Sequence, residues 1–431
     1  MRRTVKALPF LFLAWTLFAA DSLKLTLAEA HALALKNQPQ ILASEANFHR
    51  ADQLVNEARS AYYPSINGEI TGSQANPNAR IGAGFLTDSR LFNRFGYGLT
   101  ASQLITDSGR TLNLVAQSKL QAESSRKDYQ TARENVLLAV DQAYYNALLA
   151  DALVRLAQQT VATRQTVVDQ VSELTRNKLK SDVDLSFAQV NLSDAKLMLL
   201  RAQNQRQSTN ATLSQALGSD QSTVYQLQEE PVPASPPPSV DSMVAQAFQN
   251  RPELASLRLQ READLKLVNA ERDLKKPTVS LNAVAGSLSY IQPGNANPDI
   301  PLGYEGVAVN VQVPVFNGHL FTARRKAAQY QLEATSQRVR DLQERIARDV
   351  RIAWAQANNA YQAIGASQEL LRQANLALDL AQGRYNLGLS SIVELTQAQL
   401  AQTQAQVQIL QAQYEYQQAH TGLRYALGGL Q

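Results

Sequence analysis

A mainly α-helical chain of two structural repeats, each combining long coiled helices with a strand pair suited to a membrane β-barrel, is the fold class this sequence predicts. Three observations carry it. The run Tyr385-Asn-Leu-Gly-Leu-Ser-Ser-Ile-Val-Glu-Leu-Thr-Gln-Ala-Gln399 is echoed about 210 residues earlier by Asn177-Lys-Leu-Lys-Ser-Asp-Val-Asp-Leu-Ser-Phe-Ala-Gln189, pairing Leu179 with Leu389, Ser181 with Ser391 and Asp184 with Glu394. Two stretches free of proline, from about Gly109 to Asn177 and from Gly318 to Asn386, would each extend about 100 Å as helix. Between helical patterns lie short segments whose apolar residues alternate with a period of two.

Composition agrees with long helices. The 431 residues are 45% hydrophobic but only 6% aromatic, and Ala and Gln dominate the later part of each half. The absence of cysteine excludes disulfides, thiolate metal sites and a lipidated N-terminal cysteine. Arg2, Arg3 and Lys6, an apolar run from Leu8 to Phe18 and then Ala19-Ala20 read as a signal peptide over residues 1–20, with Phe18 a poor residue just before the cleavage site. Its removal lowers the formal net charge from +4 to +1. That balance gives no reason to expect a nucleic-acid partner.

The first repeat spans residues 21–217. Helical periodicity from Leu25 to Ala61 breaks at Asn37-Gln38-Pro39, because proline disfavours continuation of the helix before it. Strands are expected at about residues 64–73 and 95–106, separated by a Gly/Asn/Pro-rich loop from Gln74 to Asn93. The long helix, the turn at Asn177 and a return helix ending at Gly218 follow. Residues 218–239, with Pro231-Val-Pro-Ala-Ser-Pro-Pro-Pro238, read as an extended connector. The second repeat, residues 240–431, repeats the order: a break at Asn250-Arg251-Pro252, strands at about 277–290 and 304–316 around a loop from Gln292 to Gly303, the long helix, the turn at Tyr385 and a return helix ending at Gly428. Seven-residue rows run along the return helices, Val183-Val190-Leu197-Asn204 with Ser186-Ser193-Leu200-Gln207 in the first and Val393-Leu400-Val407-Tyr414 with Thr396-Thr403-Leu410-Gln417 in the second; many of these positions are small or polar, which suits close packing within a larger sheet of coiled helices. Two hairpins are too few to close a membrane barrel, so strands placed in lipid would have to be completed by further copies of the chain.

Catalytic motifs are lacking. The histidines His31, His49, His319 and His420 have no metal-ligand spacing, and Gly82-Ala-Gly84 lacks the third glycine and the helix of a dinucleotide loop. No enzyme activity, cofactor or metal is expected.

A signal peptide, two halves each ordered as helix, strand pair, long helix, turn and return helix, and the Leu-x-Ser-x-Val-acid-Leu turns together resemble the TolC family of outer-membrane efflux factors. The resemblance covers essentially the whole mature chain. It implies a homotrimer with a 12-stranded β-barrel in outer-membrane lipid and a trimeric α-barrel crossing the periplasm of a Gram-negative-type cell. Such a channel serves tripartite efflux or type I secretion, docking a periplasmic adaptor and an inner-membrane RND, ABC or MFS pump, and exports drugs, metals or proteins. The resemblance also implies site residues. Glu394 and Gln397 fall at the positions that ring the periplasmic aperture, with Gln397 in place of the usual Asp. Asp184 and Tyr385 match an acid and a tyrosine that hold the closed state, leaving a Tyr385 to Asp184 hydrogen bond open, while Ser390 replaces the arginine of the accompanying salt bridge. Leu179, Lys180 and Ser181 on the first turn, and Gly388, Leu389 and Ser391 on the second, are implied adaptor-docking tips, and Lys178 stands where the first turn has glycine. The alternative is a periplasmic coiled-coil adaptor, which would also carry a signal peptide and long helical hairpins but has no use for two matched strand pairs.

Overall fold

The structure is a computed structural model that describes residues 24–74, 80–81, 89–90, 93–219, 225–233, 235–291 and 302–430. The expected signal peptide, Gly82-Ala-Gly84 and most of both strand-connecting loops lie outside these residues. In chain order the elements are β1 (Lys24–Leu25), α1 (Leu27–Asn37), α2 (Pro39–Ser60), β2 (Ser65–Ser73), β3 (Arg80–Ile81), β4 (Ser89–Arg90), β5 (Asn93–Thr106), α3 (Arg110–Arg176), α4 (Asp182–Ala216), β6 (Gln226–Leu227), α5 (Val240–Asn250), α6 (Pro252–Asp273), β7 (Thr278–Ile291), β8 (Leu302–Gln312), α7 (Leu320–Asn386) and α8 (Ile392–Ala426).

The repeat is exact in helix length. α1 and α5 have 11 residues each, α2 and α6 have 22, α3 and α7 have 67, and α4 and α8 have 35. Pro39 and Pro252 stand first in α2 and α6, where a missing N–H costs nothing. The chain divides into two compact units, one of residues to Gln38, Val136–Pro237 and Gln356–Thr421, the other of Pro39–Asn135, Pro238–Ala355 and Gly422–Gln431.

The first unit holds the two turns and the connector. Its connector is more than a spacer, because β6 pairs in parallel with β1. The buried Tyr144 hydroxyl lies 2.9 Å from Leu25 O and 2.8 Å from Gln228 O, and Tyr416 donates to Ser235 O at 2.6 Å. Such pairing satisfies backbone groups that an isolated extended chain leaves to water. α4 ends in glycine at Gly218, with φ +73°, and a Cβ there would come within 2.8 Å of the Asn37 backbone. Gln38 Nε2 donates to Gln215 O and Ala216 O at 3.2 and 3.1 Å, covering carbonyls that the helix end leaves bare.

The buried stripe of α4 in the single chain is distinct from its seven-residue rows. Ala188, Leu192, Ala195 and Ala202 are buried, whereas Val183, Val190, Leu197 and Leu200 are each at least half exposed in the single chain. Alanine permits close helix approach, and three of these four buried positions are alanine, with Leu192 filling the fourth.

The second unit carries a four-stranded antiparallel sheet in the order β2-β5-β7-β8. β7 covers the expected third strand, but β8 ends at Gln312, leaving Val315 and Phe316 93% and 82% exposed. The register sorts side chains by face. One face carries the row Ile66, Ala101, Ala283 and Val307, with Ile70 and Tyr97 above it and Leu281 and Val309 below. The other carries Ser65, Ser102 and Asn282, then Asn67 and Thr100, then Glu69 beside Tyr304. Tyr304 crosses the small row Gly98–Gly286, where an added Cβ would lie 2.7 or 2.6 Å from its hydroxyl. Among the described residues the outer edges of β2 and β8 have no partner strand. No described helix is long and apolar enough to cross a membrane.

Candidate functional site at the helical hairpin tips

Both turns of the first unit end their incoming helix in the same way. Leu179 N–H donates to Leu174 O at 2.8 Å and Lys178 N–H to Thr175 O at 2.9 Å; Leu389 donates to Arg384 O at 2.8 Å and Gly388 to Tyr385 O at 3.1 Å. This pair of hydrogen bonds requires a left-handed residue just past the helix. Gly388 supplies it at φ +74°, whereas Lys178 is forced to φ +59°.

The outgoing helices start on serine. Ser181 caps α4, accepting from Asp184 N–H at 3.2 Å while Asp184 Oδ2 accepts from Ser181 N–H at 3.0 Å and from its hydroxyl at 2.8 Å. This capping box satisfies two orphan donors and is worth about 1 kcal/mol. Ser391 caps α8 more loosely, accepting from Glu394 N–H at 3.4 Å. The Glu394 carboxylate turns instead to Arg384 Nε, 3.2 Å away.

The tips share one apolar core. Val168, Val171, Ala188, Leu192, Tyr385, Ile392 and Leu395 bury against one another, so Tyr385 is 5% exposed. The Tyr385 hydroxyl has no hydrogen-bond partner among the described residues, and neither has the buried Ser390 Oγ. The hydrogen bond from Tyr385 to Asp184 left open by the sequence is therefore not made: Asp184 is committed to its own helix cap. Burial pushes the Tyr385 hydroxyl above its ordinary pKa, and the Asp184 carboxylate adds to that shift.

Other expected residues fall on the surface. Leu179 and Leu389 are 70% and 68% exposed at the ends of the two turns. Ser181, Gly388, Ser391 and Gln397 are exposed as well. Lys180 lies elsewhere, with its Nζ 4.0 Å from the centroid of the Tyr385 ring. The hairpins meet further along too: Asn191 Nδ2 donates to Thr396 Oγ1 at 2.9 Å, and the buried Arg164 donates to Gln399 O at 3.0 Å and Thr403 Oγ1 at 3.2 Å. Sequence reading missed Arg164, Asn191 and Arg384. An arginine at 164 in the first repeat, where the second has Ala374 at the equivalent position, was the available signal.

The histidines are dispersed. His31 pairs with the buried Asp141, His49 lies 3.9 Å from Glu45, and His319 and His420 stack near Phe316 and Tyr416. Among the described residues no group of three or more His, Asp or Glu could hold a metal ion.

The family model described as "Outer membrane efflux protein" matches residues 31–219 and 243–429, one segment for each repeat. The outer membrane efflux protein BepC of Brucella suis is 26% identical over 385 residues, covering 87% of this chain and 79% of its own length. The outer membrane protein TolC of Escherichia coli K12 is 22% identical over 414 residues, covering 91% of this chain and 80% of its own length. The crystal structure of the CmeC outer membrane channel of Campylobacter jejuni superimposes with a TM-score of 0.78 at 18% identity, covering 100% of this chain and 94% of that one. These three relatives are outer-membrane proteins, and the reading as a coiled-coil adaptor finds no support among them. Matched through both halves and sharing the two-repeat fold, the chain belongs to the outer membrane efflux protein family and is an efflux channel of the outer membrane.

Proposed function

We propose that three copies of the chain form a passive exit duct, opened at its hairpin tips by a periplasmic adaptor and an inner-membrane RND, ABC or MFS pump, for tripartite efflux or type I secretion. The observation that carries this reading is the two-faced sheet whose two outer edges have no partner strand among the described residues. Unpaired edges in hydrocarbon leave backbone groups unsatisfied at several kcal/mol each, so the edge of β8 needs the edge of β2 from another copy. Three such sheets supply twelve strands, with the Ile66–Val307 face toward lipid and the Asn67–Thr100 face toward an aqueous lumen. In the same assembly the exposed Val183, Val190 and Leu197 of α4 become helix contacts between copies. The exposed Leu179 and Leu389, with Ser181, Gly388 and Ser391, form the surface an adaptor would grip.

Glu394 and Gln397 line the entrance in this reading, and the entrance charge is set by a pair, Arg384 with Glu394, rather than by free carboxylates. Membrane fractionation tests the assembly: trimers resistant to detergent in the outer membrane support it, and a monomer in the soluble fraction contradicts it. Charge at the entrance is tested by reversal potentials. Glu394→Gln lowers cation preference and Arg384→Gln raises it; unchanged potentials in both would remove these residues from the aperture.

A further inference from the structure

On the Asn67–Thr100 face of the sheet, polar side chains at one end are spent on one another or on the backbone: Ser102 Oγ donates to Asn282 Oδ1 at 2.9 Å and Ser65 Oγ to Ser102 O at 3.3 Å. Further along the same face this stops. Glu69, Thr71, Thr100 and Tyr304 line a cavity of about 210 Å³ together with Gly96, Gly98 and Leu288. Among the described residues none of those four polar side chains makes a hydrogen bond. Register explains the shape of the cavity. Glu69, Gly98, Gly286 and Tyr304 fall in one row across the four strands. Tyr304 lies along that row, so close that a Cβ at Gly98 or Gly286 would come within 2.7 or 2.6 Å of its hydroxyl. Leu288 covers Gly96 in the same manner, 3.0 Å from a Cβ built there. Glycine inside a strand weakens it and belongs where something must approach the backbone closely. Here three glycines let Tyr304 lie along the sheet instead of standing off it, 47% exposed, with its hydroxyl end toward Glu69.

The chemistry of the lining selects an occupant. A carboxylate, two threonine hydroxyls and a phenol present oxygen acceptors and one negative charge with no cation among them, and Leu288 and the Tyr304 ring add apolar surface. A primary ammonium on an apolar body matches this set. Its N–H groups bond oxygen, its charge meets Glu69, and the aromatic ring attracts a neighbouring cation. An anion would meet like charge, and a neutral alcohol forfeits the ionic attraction.

Resting on the duct reading above, which turns this face to the lumen, we infer that Glu69, Thr71, Thr100 and Tyr304 form a binding site for small protonated amines with an apolar body, on the wall of the strand-built part of the channel. The site belongs to the unit that carries the sheet, not to the unit that carries Glu394.

Cysteine protection on the purified full-length protein tests this. The chain has no cysteine, so Leu288→Cys places a single thiol in the cavity wall and leaves all four oxygen-bearing side chains in place. Phenethylammonium slows alkylation of that thiol by uncharged iodoacetamide, followed by mass spectrometry, and the concentration dependence gives its Kd. In this background Glu69→Gln raises the Kd about fivefold or more. Tyr304→Leu raises it about 2- to 5-fold, and Tyr304→Phe by less, because phenylalanine keeps the ring. Glu305→Gln, on the opposite face of β8, leaves it unchanged. Phenethyl alcohol, uncharged but otherwise of the same shape, protects about fivefold more weakly or less well still. An equal Kd in the parent and Glu69→Gln, an equal rise with Glu305→Gln, or protection by phenethyl alcohol as strong as by the amine would overturn the site, while detergent-resistant trimers in the same preparation keep the duct. A protein that stays monomeric yet is protected as described would overturn the duct and leave the amine site standing.

Discussion

Lys178, with Ser108 and His319, is one of three described residues other than glycine that hold a left-handed backbone. It occupies the left-handed position that Gly388 takes in the second turn, at a steric cost of about 1 kcal/mol. Lys178→Gly should stabilise the protein by roughly that amount, seen as a higher midpoint of thermal unfolding in detergent; no change or a lower midpoint would mean that the lysine is held by a compensating contact. Glu134 is under a different stress. Burial pushes its carboxyl up to about 7, while Arg251 pulls it down and Glu253 pushes it up. A carboxyl whose pKa is raised on folding keeps its proton longer in the native state, so stability falls as pH rises from about 4.3 to about 7 and then levels off. Glu134→Gln should remove a decline on the order of 1–3 kcal/mol across that window. An unfolding midpoint that falls equally with pH in wild type and variant would show that other groups are responsible. Neither strain was visible as an energy in the sequence: the missing glycine at Lys178 was, but the burial of Glu134 depends on packing between distant helices.

At the scale of elements, the ends of the return helices separate two roles of glycine. Gly218 has φ +73° and Gly428 φ +71°, and at each a Cβ would meet backbone of the preceding helical break, Asn37 or Asn250, at 2.8 or 2.9 Å. Gly318 has φ +60° with nothing within 4 Å. Gly218→Ala and Gly428→Ala should therefore cost about 2–4 kcal/mol, combining torsional strain with a backbone clash, and Gly318→Ala only about 1. Equal losses at the three sites would show that torsion alone matters. Gly218 and Gly428 were legible as helix stops because the chain turns there, and Pro39 and Pro252 were legible for the same reason, whereas Gly318 marked only the start of the second long helical stretch. The inner face of α4 was not. Heptad counting selected Val183, Val190 and Leu197, whereas Ala188, Ala195 and Ala202 are buried, because periodicity finds an apolar row without telling a close intrachain seam from a surface left for other copies. The tip contacts were half legible: the paired turns and their acids were visible as a repeat, but the serine caps were not read, and the partners of Asp184, Lys180 and Arg164 are decided by which helices pack together.

For the molecule as a whole, the two repeats were readable because helix lengths, proline breaks and turns recur in the same order at nearly the same spacing, and physical length leaves little freedom in a 67-residue helix. The sheet's two faces followed from alternation, but the β2-β5-β7-β8 order, which brings the two halves together in one sheet, did not. That sheet is also where the proposed duct is most exposed to test. Absence of native cysteine allows single-cysteine scanning along β8 with an environment-sensitive fluorophore in lipid vesicles. The duct predicts a period of two: labels at Val307, Val309 and Val311 are blue-shifted and quenched by lipid-borne quenchers, while those at Ala308, Asn310 and Gln312 react with water-soluble reagents through the lumen. Uniform accessibility along the strand, or an alternation of the opposite phase, would contradict it.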